Sequence, residues 1–249
     1  MDYQKITTPR GTFIAYHFDK RSTVLPPIIF LCGFKSNMEG SKAVFLDQYC
    51  RGTNRTYLRF DYFAHGSSEG DFMEFTLSKA VEDACFMCKK FIDQPAIIIG
   101  SSMGGWVGLR LLELLPDKMH GLIGIAAAPD FSAEIAQDLT EDNKKSLVEN
   151  GYFMEPSGYE DPHIITNEFL ADGAKHCILN GTITTTIPVH LLQGKEDISV
   201  PWEKAERIKT MLGNQAVITY IDDGDHSLSR PQDLEILRSK IEQLDKMYA

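Results

Sequence analysis

The 249-residue sequence has no surplus of positive charge: 25 lysines and arginines stand against 35 aspartates and glutamates, a net charge of −10. Such a chain repels phosphate backbones and lacks the basic patches that dock on anionic membrane surfaces, so nucleic acid is not an expected partner. No uninterrupted apolar run approaches the ~20 residues of a membrane span. The first residues, Met1-Asp2-Tyr3-Gln4-Lys5, form neither an apolar nor an Arg-rich leader. The chain as given is expected to be cytoplasmic, or mitochondrial if a leader has been removed. Cysteine is sparse and odd in number, five in all, which excludes a disulfide scaffold and fits a reducing compartment. Cys85 and Cys88 form a C-x-x-C without the second pair a zinc site needs, and both fall on an apolar helical stripe. No H-E-x-x-H occurs, so neither metal nor cofactor is expected. Repeats and low-complexity tracts are absent too.

What is present is an alternation of short apolar runs with longer helical patterns, the rhythm of a mostly parallel sheet covered by helices on both faces. The runs are Ile28–Cys32, Thr56–Phe60, Ala96–Ile99, Leu122–Ala128, Val189–Leu192 and Ala216–Ile221. Thr12–Phe18 is expected to add an antiparallel edge strand. Leu77, Val81, Ala84, Cys88 and Ile92 follow one helical face. Trp106–Leu115 is apolar nearly all round, and Pro116 ends it. Further helices are expected around Trp202–Leu212 and Leu234–Leu244, with Pro231 at the start of the last. The rhythm breaks between residues 130 and 186, where acidic residues outnumber basic ones and no strong strand shows. This stretch reads as a small helical lid inserted into a single α/β domain of residues 1–249, over the C-terminal sheet edge where such folds bind ligands.

Gly100-Ser101-Ser102-Met103-Gly104 is a G-x-S-x-G between a buried strand run and a helix, the setting of a nucleophile elbow. The flanking glycines favour Ser102 over Ser101 as the exposed serine. A serine hydroxyl needs a base to take its proton, and histidine has a suitable pKa. His226 lies in a turn-rich loop after the last strand run, at the same edge as Ser102. His190 falls inside a strand, while His120, His163 and His176 fall at helix ends or in the lid. His65, in the loop after the second run, could reach the pocket rim and is a minor candidate for touching substrate. The base needs a carboxylate to hold its tautomer; Asp197, after the fifth run, is the candidate, with Asp130 as rival. Asp222, Asp223 and Asp225 read as turn caps or solvent-facing groups. Two backbone N–H groups are candidates for an oxyanion hole: Met103, after the serine, and Phe34, after the first buried run.

These residues resemble the α/β-hydrolase superfamily, and within it the branch of a mitochondrial palmitoyl-protein thioesterase and acyl-glucuronide esterase. The matching stretches are Gly33-Phe34 through Gly40-Ser41-Lys42-Ala43, Phe60-Asp61-Tyr62, Gly66-Ser67-Ser68-Glu69-Gly70, Gly100 through Trp106, Val200-Pro201-Trp202, Asp225-His226 and, in the lid, His176-Cys177. The chain departs from that pattern at Ala64 and His65, where a glycine and a small apolar residue are expected. The resemblance implies the α/β-hydrolase fold. It puts nucleophile, acid and base on Ser102, Asp197 and His226. It implies hydrolysis of small-molecule or acyl-protein esters and thioesters through an acyl-enzyme. Two other readings stay open: an aminopeptidase of the same fold, whose acidic lid would grip a free amine, and a binding protein without turnover.

Overall fold

Ile28–Leu31 are buried without exception, and so are Tyr57–Phe60 and Ala96–Ser101. Runs this uniform suit strands covered on both faces. In the computed structural model, which describes residues 3–21, 24–155 and 162–247, they form the centre of an eight-stranded sheet. In chain order the strands and helices are β1 (Gln4–Thr7), β2 (Phe13–Asp19), β3 (Ile28–Leu31), α1 (Ser41–Gly52), β4 (Tyr57–Phe60), α2 (Leu77–Phe91), β5 (Ala96–Ser101), α3 (Met103–Leu114) and β6 (Met119–Ile125). After these come α4 (Phe131–Gln137), α5 (Glu141–Asn150), β7 (Tyr152–Glu155), β8 (His163–Thr166), α6 (Asn167–Gly173), β9 (Val189–Gly194), α7 (Glu203–Leu212), β10 (Ala216–Ile221) and α8 (Pro231–Asp245).

The sheet order is β1-β2-β4-β3-β5-β6-β9-β10. Among the described residues of this sheet, the β1–β2 and β2–β4 pairs are antiparallel and the rest parallel. Ile28, Ile29 and Phe30 register against Ile97, Ile98 and Ile99, and burying each such side chain contributes roughly 1.5–3 kcal/mol. Leu122 meets Gly108 of α3, while its neighbour Gly121 meets Leu244 of α8. Adjacent strand residues point to opposite faces, so these helices cover opposite sides of the sheet.

Three expectations are corrected. The strand from Phe13 is antiparallel but not the edge, because β1 pairs outside it. The lid is not purely helical: β7 and β8 form an antiparallel pair between α5 and α6, with Phe153 against Ile165 and Met154 against Ile164. Four-residue strands are too short to leave a clear period-2 signal. His120, expected at a helix end, lies in β6. Within the described residues no helix is long and apolar enough to cross a membrane.

Candidate active site

Between the end of β5 and the start of α3 lies a single residue, Ser102. Its backbone angles are φ 54° and ψ −117°, a region that costs a non-glycine residue roughly 1–3 kcal/mol. The surroundings enforce it. Ser102 N–H donates to the Ile125 carbonyl (2.9 Å), and the Ser102 carbonyl accepts from Gly105 N–H (2.9 Å) and Ala128 N–H (3.1 Å). The strand and helix cross so closely that a Cβ on Gly100 would fall well under 3.0 Å from the Gly104 carbonyl, and one on Gly104 equally close to the Leu31 carbonyl. A Cβ on Gly105 would meet that of Ala127 at 2.6 Å. The glycines are therefore required by backbone proximity, and they leave the half-buried Ser102 as the residue the turn presents.

The turn after β3 lies beside this serine. Ser36 N–H donates to Gly33 O (3.1 Å), Lys35 has φ 52°, and a Cβ on Gly33 would sit 3.4 Å from the Ser102 Cβ. Phe34 is thus carried on a tight turn next to Ser102. Met103 opens α3, where the first N–H groups have no intrahelical partner.

After β9 and β10 the chain makes two interlocked loops. Glu196 N–H donates to Gly224 O at 2.9 Å. Across them, His226 Nδ1 and Asp197 Oδ2 are 2.9 Å apart. Asp197 is fully enclosed on its side chain, whereas the His226 side chain keeps 25% of its exposure. Asp197 Oδ1 accepts from the N–H groups of Ser199 (2.9 Å) and Val200 (2.8 Å), and Oδ2 also accepts from Gln193 Nε2 at 3.3 Å. Both oxygens act only as acceptors, so His226 Nδ1 carries the proton and Nε2 is left to accept. Gln193 is itself anchored on the Val200 carbonyl (3.0 Å). Its supporting place was not apparent in the sequence, where a glutamine at a strand end carries no signal of its own.

Asp130 does different work. Its two oxygens accept from Ile178 N–H and Leu179 N–H, both at 2.9 Å, tying the far end of the lid to the loop after β6. Asp223 pairs with Arg230 (2.8 Å) and Asp225 caps Leu228 N–H (2.9 Å), as expected of turn residues.

His65 does not reach the rim. It is 2% exposed, with Nδ1 3.0 Å from the Phe63 carbonyl and Nε2 accepting from Lys35 N–H at 3.1 Å. The two contacts fix the neutral tautomer protonated at Nδ1, and burial pushes its pKa down to about 4. It holds the turn bearing Phe34 from behind. His190 is buried in β9, as expected of a strand histidine.

Around that turn stands an aromatic wall that no sequence motif announced. The Phe34 ring lies 5.0–5.9 Å, centroid to centroid, from Phe72, Phe75, Phe131 and Phe169. Phe131 and Phe169 belong to the lid helices α4 and α6. Polar ties hold the lid against the sheet helices: Trp106 Nε1–H donates to His176 O (3.1 Å), and Ser78 N–H to Asp172 (2.7 Å). Lys204 pairs with Glu134. Among the described residues no group of three His, Cys, Asp or Glu side chains is placed to hold a metal ion.

Comparison with known proteins agrees with this architecture. Residues 26–156 match the family model described as alpha/beta hydrolase fold. The chain is 34% identical over 226 residues to the mouse mitochondrial palmitoyl-protein thioesterase ABHD10, spanning 89% of this chain and 76% of that one. A crystal structure from Agrobacterium vitis S4 superposes with a TM-score of 0.93 at 35% identity, covering 98% of each chain. The structure of mouse alpha/beta hydrolase domain-containing protein 10 superposes with a TM-score of 0.90 at 30% identity, covering 100% of each.

Proposed function

The chain belongs to the α/β-hydrolase family, in the branch that includes ABHD10, and from that premise we propose that it is a serine hydrolase of carboxylic esters and acyl thioesters. The observation that carries this reading is the Asp197–His226 pair, 2.9 Å across, at the same sheet edge as the strained Ser102 elbow. In the proposed cycle Ser102 Oγ attacks the acyl carbon while His226 Nε2 takes its proton. Asp197 holds the imidazole in the required tautomer and stabilises its positive charge. The N–H groups of Phe34 and Met103 receive the developing oxyanion, the interaction that most lowers such barriers. The intermediate collapses to the acyl-enzyme, and His226 hands its proton to the departing alkoxide or thiolate. Water then gives a proton to His226 and attacks the acyl carbon. Breaking the Ser102 ester bond releases the carboxylic acid and returns the proton to Oγ.

The aromatic wall supports an apolar acyl group, with lid and core each supplying part of it. ABHD10, named a palmitoyl-protein thioesterase, falls within this class. The aminopeptidase reading needs free acidic groups to hold an amine. Glu134 is taken by Lys204, Asp172 by Ser78 and Asp130 by two backbone N–H groups. With these three carboxylates occupied and an aromatic wall around the Phe34 turn, ester and thioester are the reading we favour.

The test is Ser102→Ala, assayed beside the wild type on a p-nitrophenyl ester, an acyl thioester and an aminoacyl amide. Loss of the nucleophile should lower turnover by ~10⁶-fold and abolish fluorophosphonate labelling, with the fold intact. Full esterase activity in that variant would end the serine reading; a wild type that prefers the amide would transfer the enzyme to the peptidase class; failure of the wild type to label or turn over would favour a binding protein.

A further inference from the structure

The residues following His226 form a tight knot. Leu228 has φ 43°. Its N–H donates to Asp225 Oδ1 (2.9 Å), and the Ser229 hydroxyl donates to the Ser227 carbonyl (3.0 Å) while accepting from Ser227 Oγ (2.8 Å). From outside the knot one cation enters it. Lys42, in the first turn of α1, reaches across 185 residues of sequence to donate from Nζ to the Ser227 carbonyl and, at 3.3 Å, to Ser229 Oγ. The Ser227 carbonyl belongs to the residue directly after His226. It lies in the Ser227–Leu228 peptide, one unit beyond the peptide that joins His226 to Ser227, so holding it restrains the short chain that carries the imidazole.

We propose that Lys42 is a positioning residue for His226, its ammonium group clamping the Ser227 carbonyl so that the imidazole keeps its line from Asp197 to Ser102. The inference rests on His226 being the base. It assigns to an α1 residue a part in the reaction that its distance in sequence conceals.

Stability does not account for the lysine. Burial holds its ammonium well below the ordinary lysine range, down to about 8, even though Asp225 and Asp233 favour the charge. The folded protein therefore carries this proton less readily than the unfolded chain does. A group charged at neutral pH under those conditions opposes folding relative to an apolar side chain of its length. What the lysine supplies in return is a charge-assisted bond at the loop of the base.

The experiment compares Lys42→Met and Lys42→Arg with the wild type. Each is measured for kcat and KM on a p-nitrophenyl ester, for its rate of fluorophosphonate labelling, and for Tm. Misplacing a base by about 1 Å costs ~10²-fold in rate. Lys42→Met should lose kcat and labelling rate to that extent, with KM within about threefold and a Tm no lower than the wild type. Lys42→Arg keeps a donor within reach and should recover at least a tenth of the lost rate. Wild-type kcat in Lys42→Met overturns the inference. So does a loss of activity that tracks loss of folded protein, or an arginine variant as slow as the methionine one. Ser102→Ala in the same assay separates two failures: if it stays active, the serine reading has failed, whereas an unchanged Lys42→Met alone removes only the clamp.

Discussion

Replacing Asp197 by asparagine changes one oxygen to an amide nitrogen, and the structure decides which one. Oδ1 faces two backbone donors, Ser199 N–H and Val200 N–H. An NH₂ group there would confront both, so the remaining oxygen must keep that place. The nitrogen is then forced to the Oδ2 position, against His226 Nδ1 and Gln193 Nε2. A donor facing Nδ1 obliges the imidazole to accept there and to carry its proton on Nε2. That tautomer cannot take the Ser102 proton. The expected loss in kcat is ~10⁴-fold, or roughly 5.5 kcal/mol of barrier. Gln193, left facing another donor, adds a stability cost of about 1–3 kcal/mol. Asp130→Asn is the matched control. It loses one of the two lid contacts, Ile178 N–H or Leu179 N–H, at a similar cost in stability, with kcat within about tenfold of wild type. Steady-state kinetics on a p-nitrophenyl ester and a thermal melt on both variants measure all four quantities. A 10⁴-fold loss in Asp130→Asn together with near-normal turnover in Asp197→Asn would refute the assignment of the acid.

Three other perturbations probe the scaffold. Ser102→Gly removes the Cβ from a residue at φ 54°; relief of strain less the entropy of glycine should raise stability by about 1 kcal/mol, a Tm gain of roughly 2–4 °C, while activity disappears. Gly104→Ala would drive a methyl into the Leu31 carbonyl and should cost ~3 kcal/mol or more, whereas Gly52→Ala, with nothing within 4 Å, should be neutral or slightly stabilising; equal melts for the two would contradict the close crossing. His65 binds its proton at about pH 4 when folded against an ordinary 6.5, so the unfolded chain holds more protons between those values and stability falls as the pH drops through the window. His65→Gln lacks this term, and its stability deficit against wild type should narrow by about 3 kcal/mol between pH 7 and pH 4 in urea titrations; a constant deficit would mean the imidazole is not buried neutral.

The sequence made the central strands legible because a parallel sheet buried on both faces writes itself as uninterrupted apolar runs. Ile28–Leu31 and Ala96–Ser101 are cases of this. It concealed β1 and the β7–β8 pair for the opposite reason. β1 is almost wholly exposed, and the lid strands are four residues long, so neither builds a pattern. The elbow was readable because a close backbone crossing admits only glycine at Gly100 and Gly104. Asp197 and His226, which lie 2.9 Å apart, were legible as a candidate pair because each follows a strand run at the same sheet edge. The aromatic wall was not readable. Phe34, Phe72, Phe131 and Phe169 come from four separate segments; the first three are half-buried and only Phe169 is fully in the core, so none stands out alone.

The supports of the candidate site share one design, which explains why they escaped a reading by motif. Asp197 is held by the amide of Gln193 and two backbone N–H groups; the Phe34 turn by His65 acting on Lys35 N–H; the His226 loop by Lys42 acting on the Ser227 carbonyl. In every case one side chain from elsewhere in the chain grips a main-chain atom or a carboxylate beside the reacting position. A main-chain partner has no residue identity, so such a bond leaves half its record out of the sequence. Two of the three gripping residues are groups for which burial is costly, His65 pushed down to about 4 and Lys42 to about 8. Apolar replacements would serve packing as well or better. Such supports, around the Asp197–His226 pair and the turn beside Ser102, are what the proposed hydrolase site would need to hold its geometry.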